Sequence, residues 1–171
     1  MEPIDWLRVN VPGFEALCED ERAAIRDFSM LWSLFEGTVL GTRGSTKMLL
    51  SLVDKLDSLG AIKISPLRPA IAHFRTRYYS NGAFTAAFDQ HLHFRRGDQR
   101  GIAELFVSGA SSEACSVLKG LLVIIFRLRN NLFHGLKWSY GLQGQLDNFR
   151  HANEVLMAVC SMAVSVGLVR Y

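Results

Sequence analysis

From Phe14 to Val39 the apolar residues Leu17, Ile25, Phe28, Leu31, Trp32, Phe35 and Val39 recur at spacings of three and four, the period of a helix with one buried face. The polar residues Glu15, Glu19, Asp20, Arg22 and Arg26 gather in its first turns. Gly41 and Gly44 break the pattern, and Ser45 stands as an N-cap for a helix over 46–59 carrying Leu49, Leu52, Val53 and Leu56 on one side, with Gly60 closing it. The two prolines of AIKISPLRP confine that stretch to a connection. Pro69, at a first-turn position, opens a helix through His73 and Tyr78. Beyond Gly82 the pattern predicts a helix over 83–94, then the loop RRGDQRG, a short helix through Ile102, Leu105 and Phe106, and the loop SGASS, whose serine caps a long helix from Glu113. A final helix is predicted from about Gln145 to Leu168. No alternating run of useful length predicts a strand, and there is no internal repeat. The layout is all-α, a single domain over 1–171 with antiparallel neighbours joined by short loops.

The long helix raises a question. After SVLKGLLVIIF, which reads as buried, comes RLRNNLFHG. With each residue advancing roughly 100°, Asn130, Asn131 and His134 fall within roughly 60° of Arg127 and make one polar stripe. Leu118, Leu122, Ile125, Phe126, Leu132 and Phe133 gather on the opposite side, and Arg129 points into the middle of them. An arginine on a packed apolar face needs a counter-charge or acceptors. Glu36, at the edge of the apolar face of the first helix, is the candidate partner. Gly135 supplies a left-handed cap, which places His134 in the last turn, where the dipole and unpaired carbonyls favour positive charge.

A histidine beside an arginine and an amide suits phosphodiester cleavage without metal. The imidazole moves a proton, and the guanidinium holds the phosphoryl oxygens and stabilises the charge that grows on them. The segment Arg129-Asn130-Asn131-Leu132-Phe133-His134-Gly135 resembles the motif of HEPN domains, Arg followed after four to six residues by His, in the form with Asn after Arg and Gly after His. Leu136 departs from it, a second Gly being common there. The resemblance implies an all-α, HEPN-like antiparallel bundle with additional short helices, and a homodimer whose composite cleft joins Arg and His of two protomers. It implies metal-independent endoribonuclease activity that leaves 2′,3′-cyclic phosphate and 5′-hydroxyl ends, in a toxin or antiphage defence effector. RNA and a cognate antitoxin or other regulatory protein are the implied partners. Arg129 would stabilise the phosphate, His134 act as general acid and base, and Asn130 position the reacting groups, with Glu36, Arg127 and Asn131 in support.

Other readings stand beside these. Arg127 also lies within the motif's spacing of His134, and helical geometry favours it, whereas the adjacent Asn130 favours Arg129. Arg68 and His73 satisfy the bare spacing too, but Pro69 replaces the expected Asn. Arg95, Arg96 and Arg100 around Gly97, with Lys137, are candidate RNA contacts or a solvated loop. Arg75 and Arg77, interleaved with Phe74, Tyr78 and Tyr79, either stack on bases or form one packed helix face. His91 and His93 lie about 200° apart on a helix, so with His73 they do not make a metal site, and no metal or cofactor is predicted. A non-catalytic HEPN-like scaffold and an antitoxin-like regulatory protein are the alternatives to the enzyme.

Composition narrows this modestly. A hydrophobic fraction of 49% with 20% charged residues describes a globular chain. A net charge of +3 permits an anionic partner without demanding one. Cys18, Cys115 and Cys160 are scattered, with no zinc-ligand spacing, and predict a reducing compartment, the cytoplasm. The N-terminal stretch has no apolar core of a secretory signal, and the longest apolar runs fall short of the roughly 18–20 residues that span a bilayer, so no membrane association is predicted. P-loop, Rossmann, HExxH and Ser-His-Asp signatures are absent.

Overall fold

The computed structural model describes residues 1–134 and 142–170. Among these it contains eight α-helices and one two-stranded ladder, so the all-α expectation holds. Helix α1 (Pro3–Asn10) is followed by α2 (Glu19–Thr38), α3 (Thr46–Ser58), α4 (Arg68–Tyr78), α5 (Ala86–Asp89), α6 (Arg100–Val107), α7 (Ala114–Phe133) and α8 (Leu146–Ser165). The strands β1 (Tyr79–Ser80) and β2 (Ala83–Phe84) pair between α4 and α5.

Helix α7 is the centre of the bundle. Every residue from Leu121 to Leu128 is buried, as expected of a helix that is apolar on all sides. Helices α3 and α6 pack on α7, α2 and α4 pack on α8, and an aromatic contact joins the two groups. The Trp32 ring of α2 lies 5.8 Å from Phe126 of α7 across the two groups, while within the second group Phe28 lies 5.1 Å from Phe149 of α8. Helix α6 comes so close that a Cβ on Gly120 would stand 2.1 Å from Phe106 Cβ. Glycine at that position is a packing requirement.

Local signals account for most boundaries. Ser45 accepts from the Met48 amide at 3.3 Å as the cap of α3, and Pro69 stands in the first turn of α4. The first long helix begins five residues later than its apolar pattern. Phe14 and Leu17 are buried from a turn, and the Cys18 amide donates to Glu21 Oε2 at 3.1 Å to start α2. Helix α1 carries no periodic signal over a buried face, because none of its residues is buried. The N-cap of α7 is Glu113 rather than a serine of SGASS.

The helix expected over 83–94 is the main correction. Asn81 and Gly82 both have positive φ, +51° and +77°, which is the backbone of a tight hairpin turn and the reason that Asn-Gly favours one. That turn spends residues 79–84 on the ladder, and Thr85 then caps only one turn of helix. Residues 90–99 carry no helix, and His93 and Gln99 adopt left-handed backbone. No helix among the described residues is long and apolar enough to cross a membrane.

Candidate active site at the end of the central helix

Arg127 and Arg129 leave α7 on opposite sides, since two helical steps turn roughly 200°. Arg127 is 1% exposed. Its guanidinium pairs with Asp98 at 2.7 Å, donates through Nε to the Leu92 carbonyl at 3.0 Å, and also reaches the His93 carbonyl and Asn131 Oδ1. Burial pulls its pKa below the ordinary arginine value, Asp98 opposes that, and Arg95 adds to it. One turn on, the fully buried Asn131 donates to the carbonyls of His91 and Leu92. Two members of the polar stripe, Arg127 and Asn131, therefore face neither water nor a cleft. They supply donors to the main-chain carbonyls of residues 91–93, which sit in an irregular segment around the buried Leu92.

Arg129 is the arginine that remains partly open, with 22% of its side chain exposed. Its Nη2 donates to Glu36 Oε2 at 3.1 Å and its Nη1 to Asn130 Oδ1 at 3.1 Å. The guanidinium lies over two rings, 5.6 Å from the centre of Trp32 and 5.2 Å from that of Phe133. The expected contact between Glu36 and Arg129 is present. Glu36 is itself held from three sides: Oε2 also accepts from the Trp32 indole, and Oε1 accepts from the Gly44 amide at 3.0 Å. A Cβ on Gly44 would stand 2.3 Å from Oε1, so the carboxylate in this position occupies space that glycine leaves open in the connection between α2 and α3.

Arginine has five N–H donors. Two are used here, and Nε is buried without an acceptor among the described residues. His134 caps α7, its amide bonded to the Asn130 carbonyl at 3.0 Å. The imidazole is exposed and makes no hydrogen bond among the described residues; Phe133 beside it is 50% exposed.

No family model, curated protein or solved structure matches the chain.

The structure brings Arg129, Asn130 and Glu36 together and places His134 at the same helix end. It does not bring Arg127 or Asn131 to that group. Arg100 is engaged by Asp89 and Glu104, which hold its pKa up, and it covers the rings of Phe88 and Phe94. Arg95 and Arg96 are exposed on the segment that Arg127 anchors. Lys137, together with Gly135 and Leu136, lies outside the described residues. Among the described residues no cluster of His, Cys, Asp or Glu is arranged to hold a metal. Two residues of the site carried a weak signal. Trp32 stands four residues before Glu36, one helical turn away on the same face. Gly44 had only its place in a loop.

Proposed function

We propose that this is a HEPN-like ribonuclease, metal-independent and homodimeric, acting as a toxin or antiphage defence effector under the control of an antitoxin or other regulatory protein. One observation carries the reading. A partly open arginine, fixed by Glu36, Asn130 and Trp32, keeps N–H donors uncommitted among the described residues, a few residues from an exposed imidazole that makes no hydrogen bond among them.

Helical geometry supports a cleft made by two copies. Arg129 and His134 are five residues apart, which separates them by roughly 140° around the axis and about 7.5 Å along it. The two side chains of one helix diverge, so Arg129 of one protomer and His134 of another are better placed to meet a single phosphate. In the reaction, the ribose 2′-oxygen forms a bond to phosphorus while the bond to the 5′-oxygen breaks. One imidazole takes the 2′-hydroxyl proton, and the imidazolium of the other copy protonates the leaving 5′-oxygen. Arg129 holds the non-bridging oxygens, and the products are a 2′,3′-cyclic phosphate and a 5′-hydroxyl.

A second reading has its own support. An arginine paired with a carboxylate and stacked on tryptophan is also a structural tie between α2 and α7, in a scaffold that binds RNA or protein without cleaving it. Incubation with mixed RNA in excess EDTA separates the two. The ribonuclease reading expects cyclic-phosphate ends from the wild type, and cleavage lowered about 10²–10⁴-fold in a folded His134→Ala variant. Equal cleavage by both proteins rejects His134, and none by either favours the scaffold.

A further inference from the structure

A groove of about 690 Å³ opens between α4, α5 and α8, and no residue of α7 lines it. That volume falls within the range of roughly 300–1,000 Å³ that holds small ligands. His73, Thr76, Arg77, His91 and His151 supply its polar wall, and no carboxylate lines it among the described residues.

The tautomers follow from the hydrogen bonds. Asn148 donates its amide to Gln145 Oε1 at 2.8 Å, which turns Asn148 Oδ1 toward His73 Nε2 at 2.9 Å. An amide oxygen only accepts, so Nε2 of His73 carries the proton and Nδ1 is left as the acceptor. The His151 ring lies 4.7 Å from that of His73, and its Nδ1 donates to Glu154 Oε2 at 2.9 Å. Nε2 is then the nitrogen of His151 left to meet a ligand, as an acceptor on the neutral ring and as a donor on the imidazolium paired with Glu154. Arg77 has no carboxylate partner among the described residues, and its Nε is buried without an acceptor.

The geometry points to this groove as a binding site for a small phosphate monoester of nucleotide size, with Arg77, Nε2–H of the His151 imidazolium and the Thr76 hydroxyl on the phosphate. Donors from two helices approach from different directions, which suits a tetrahedral anion better than a planar carboxylate. Pro69, Ala72 and Ala87 form an apolar wall for the organic part, and the cavity is larger than a free inorganic anion needs. The site is separate from Arg129 and His134 and does not depend on RNA cleavage.

Histidine Cε1–H resonances, assigned with single His→Gln variants, test this during titration with adenosine 5′-monophosphate and, separately, inorganic phosphate. Saturable shifts at His73 and His151, with His134 unmoved, are expected from both probes, the nucleotide binding about tenfold tighter. Arg77→Gln should weaken binding by about tenfold or more and Arg77→Lys by less, each variant first matched to the wild type by circular dichroism. His134→Ala should bind the nucleotide as the wild type does, which keeps this test independent of the ribonuclease reading. Absence of shifts at His73 and His151, a response confined to His134, or full binding by folded Arg77→Gln overturns the site. Equal affinity for the two probes overturns the assignment to an organic monoester.

Discussion

Arg127 and Arg129 stand two residues apart on one helix and meet opposite environments. Arg127 is closed in by a carboxylate, two main-chain carbonyls and an amide oxygen. Arg129 has one carboxylate, one amide oxygen and two aromatic faces, and keeps a path to solvent. The difference lies in how many donors each has left. A guanidinium with its donors spent holds a fold together; one with donors to spare and a rigid seat can hold a ligand. Residue type and spacing alone do not distinguish the two.

The contrast can be broken first at its buried end. Arg127→Ala removes the ion pair to Asp98 and the donors to the carbonyls of Leu92 and His93, and the expected loss is about 3–5 kcal/mol in urea unfolding. A loss below that of Arg129→Ala would invert the comparison. Gly44→Ala perturbs the other arginine without touching it. The new Cβ displaces Glu36 Oε1, so a loss of about 1 kcal/mol is expected, with a shift of the Trp32 indole N–H resonance, whose acceptor is the same carboxylate. An unmoved indole signal would show that Glu36 is not the seat of Arg129.

The smallest effect involves neither arginine, since both stay charged throughout the accessible range. Burial lowers the pKa of His73 from 6.5, opposed by its bond to Asn148 and by Asp147, and reinforced by His151 and Arg77. The unfolded chain therefore takes up this proton at a higher pH than the folded one. The stabilisation is complete above about pH 6.5 and declines as pH falls toward the folded value. A shallower acid limb in His73→Gln than in the wild type, measured as urea midpoints from pH 7.5 to 5.5, is the expected outcome; identical limbs would remove His73 as their cause.

Much of the Arg129 seat was legible in the chain. The angular position of Arg129 among apolar residues demanded a counter-charge, and the edge position of Glu36 on α2 supplied one. The surroundings of Arg127 were not legible, because two of its partners are main-chain carbonyls of residues 92 and 93, which have no residue type to betray them, and its carboxylate, Asp98, lies in the same irregular segment. The helix expected over 83–94 failed for a related reason. Apolar spacing over this stretch favours a helix, but the chain has already been turned by two positive φ angles at Asn81 and Gly82. The cleft with His73 and His151 joins positions far apart in sequence, and only the packing of α4 on α8 brings them together.

The segment 91–98 also has a history. His91 leaves the ribosome 40 residues before Asn131, the side chain that will bond its carbonyl, and Leu92 precedes Arg127 by 35. Until α7 has been made and docked, these carbonyls have only water as a partner, and no helix or ladder of their own holds the segment in place. This stretch is therefore among the last to acquire its shape on a nascent chain, and a ribosome stalled before residue 127 carries it unformed.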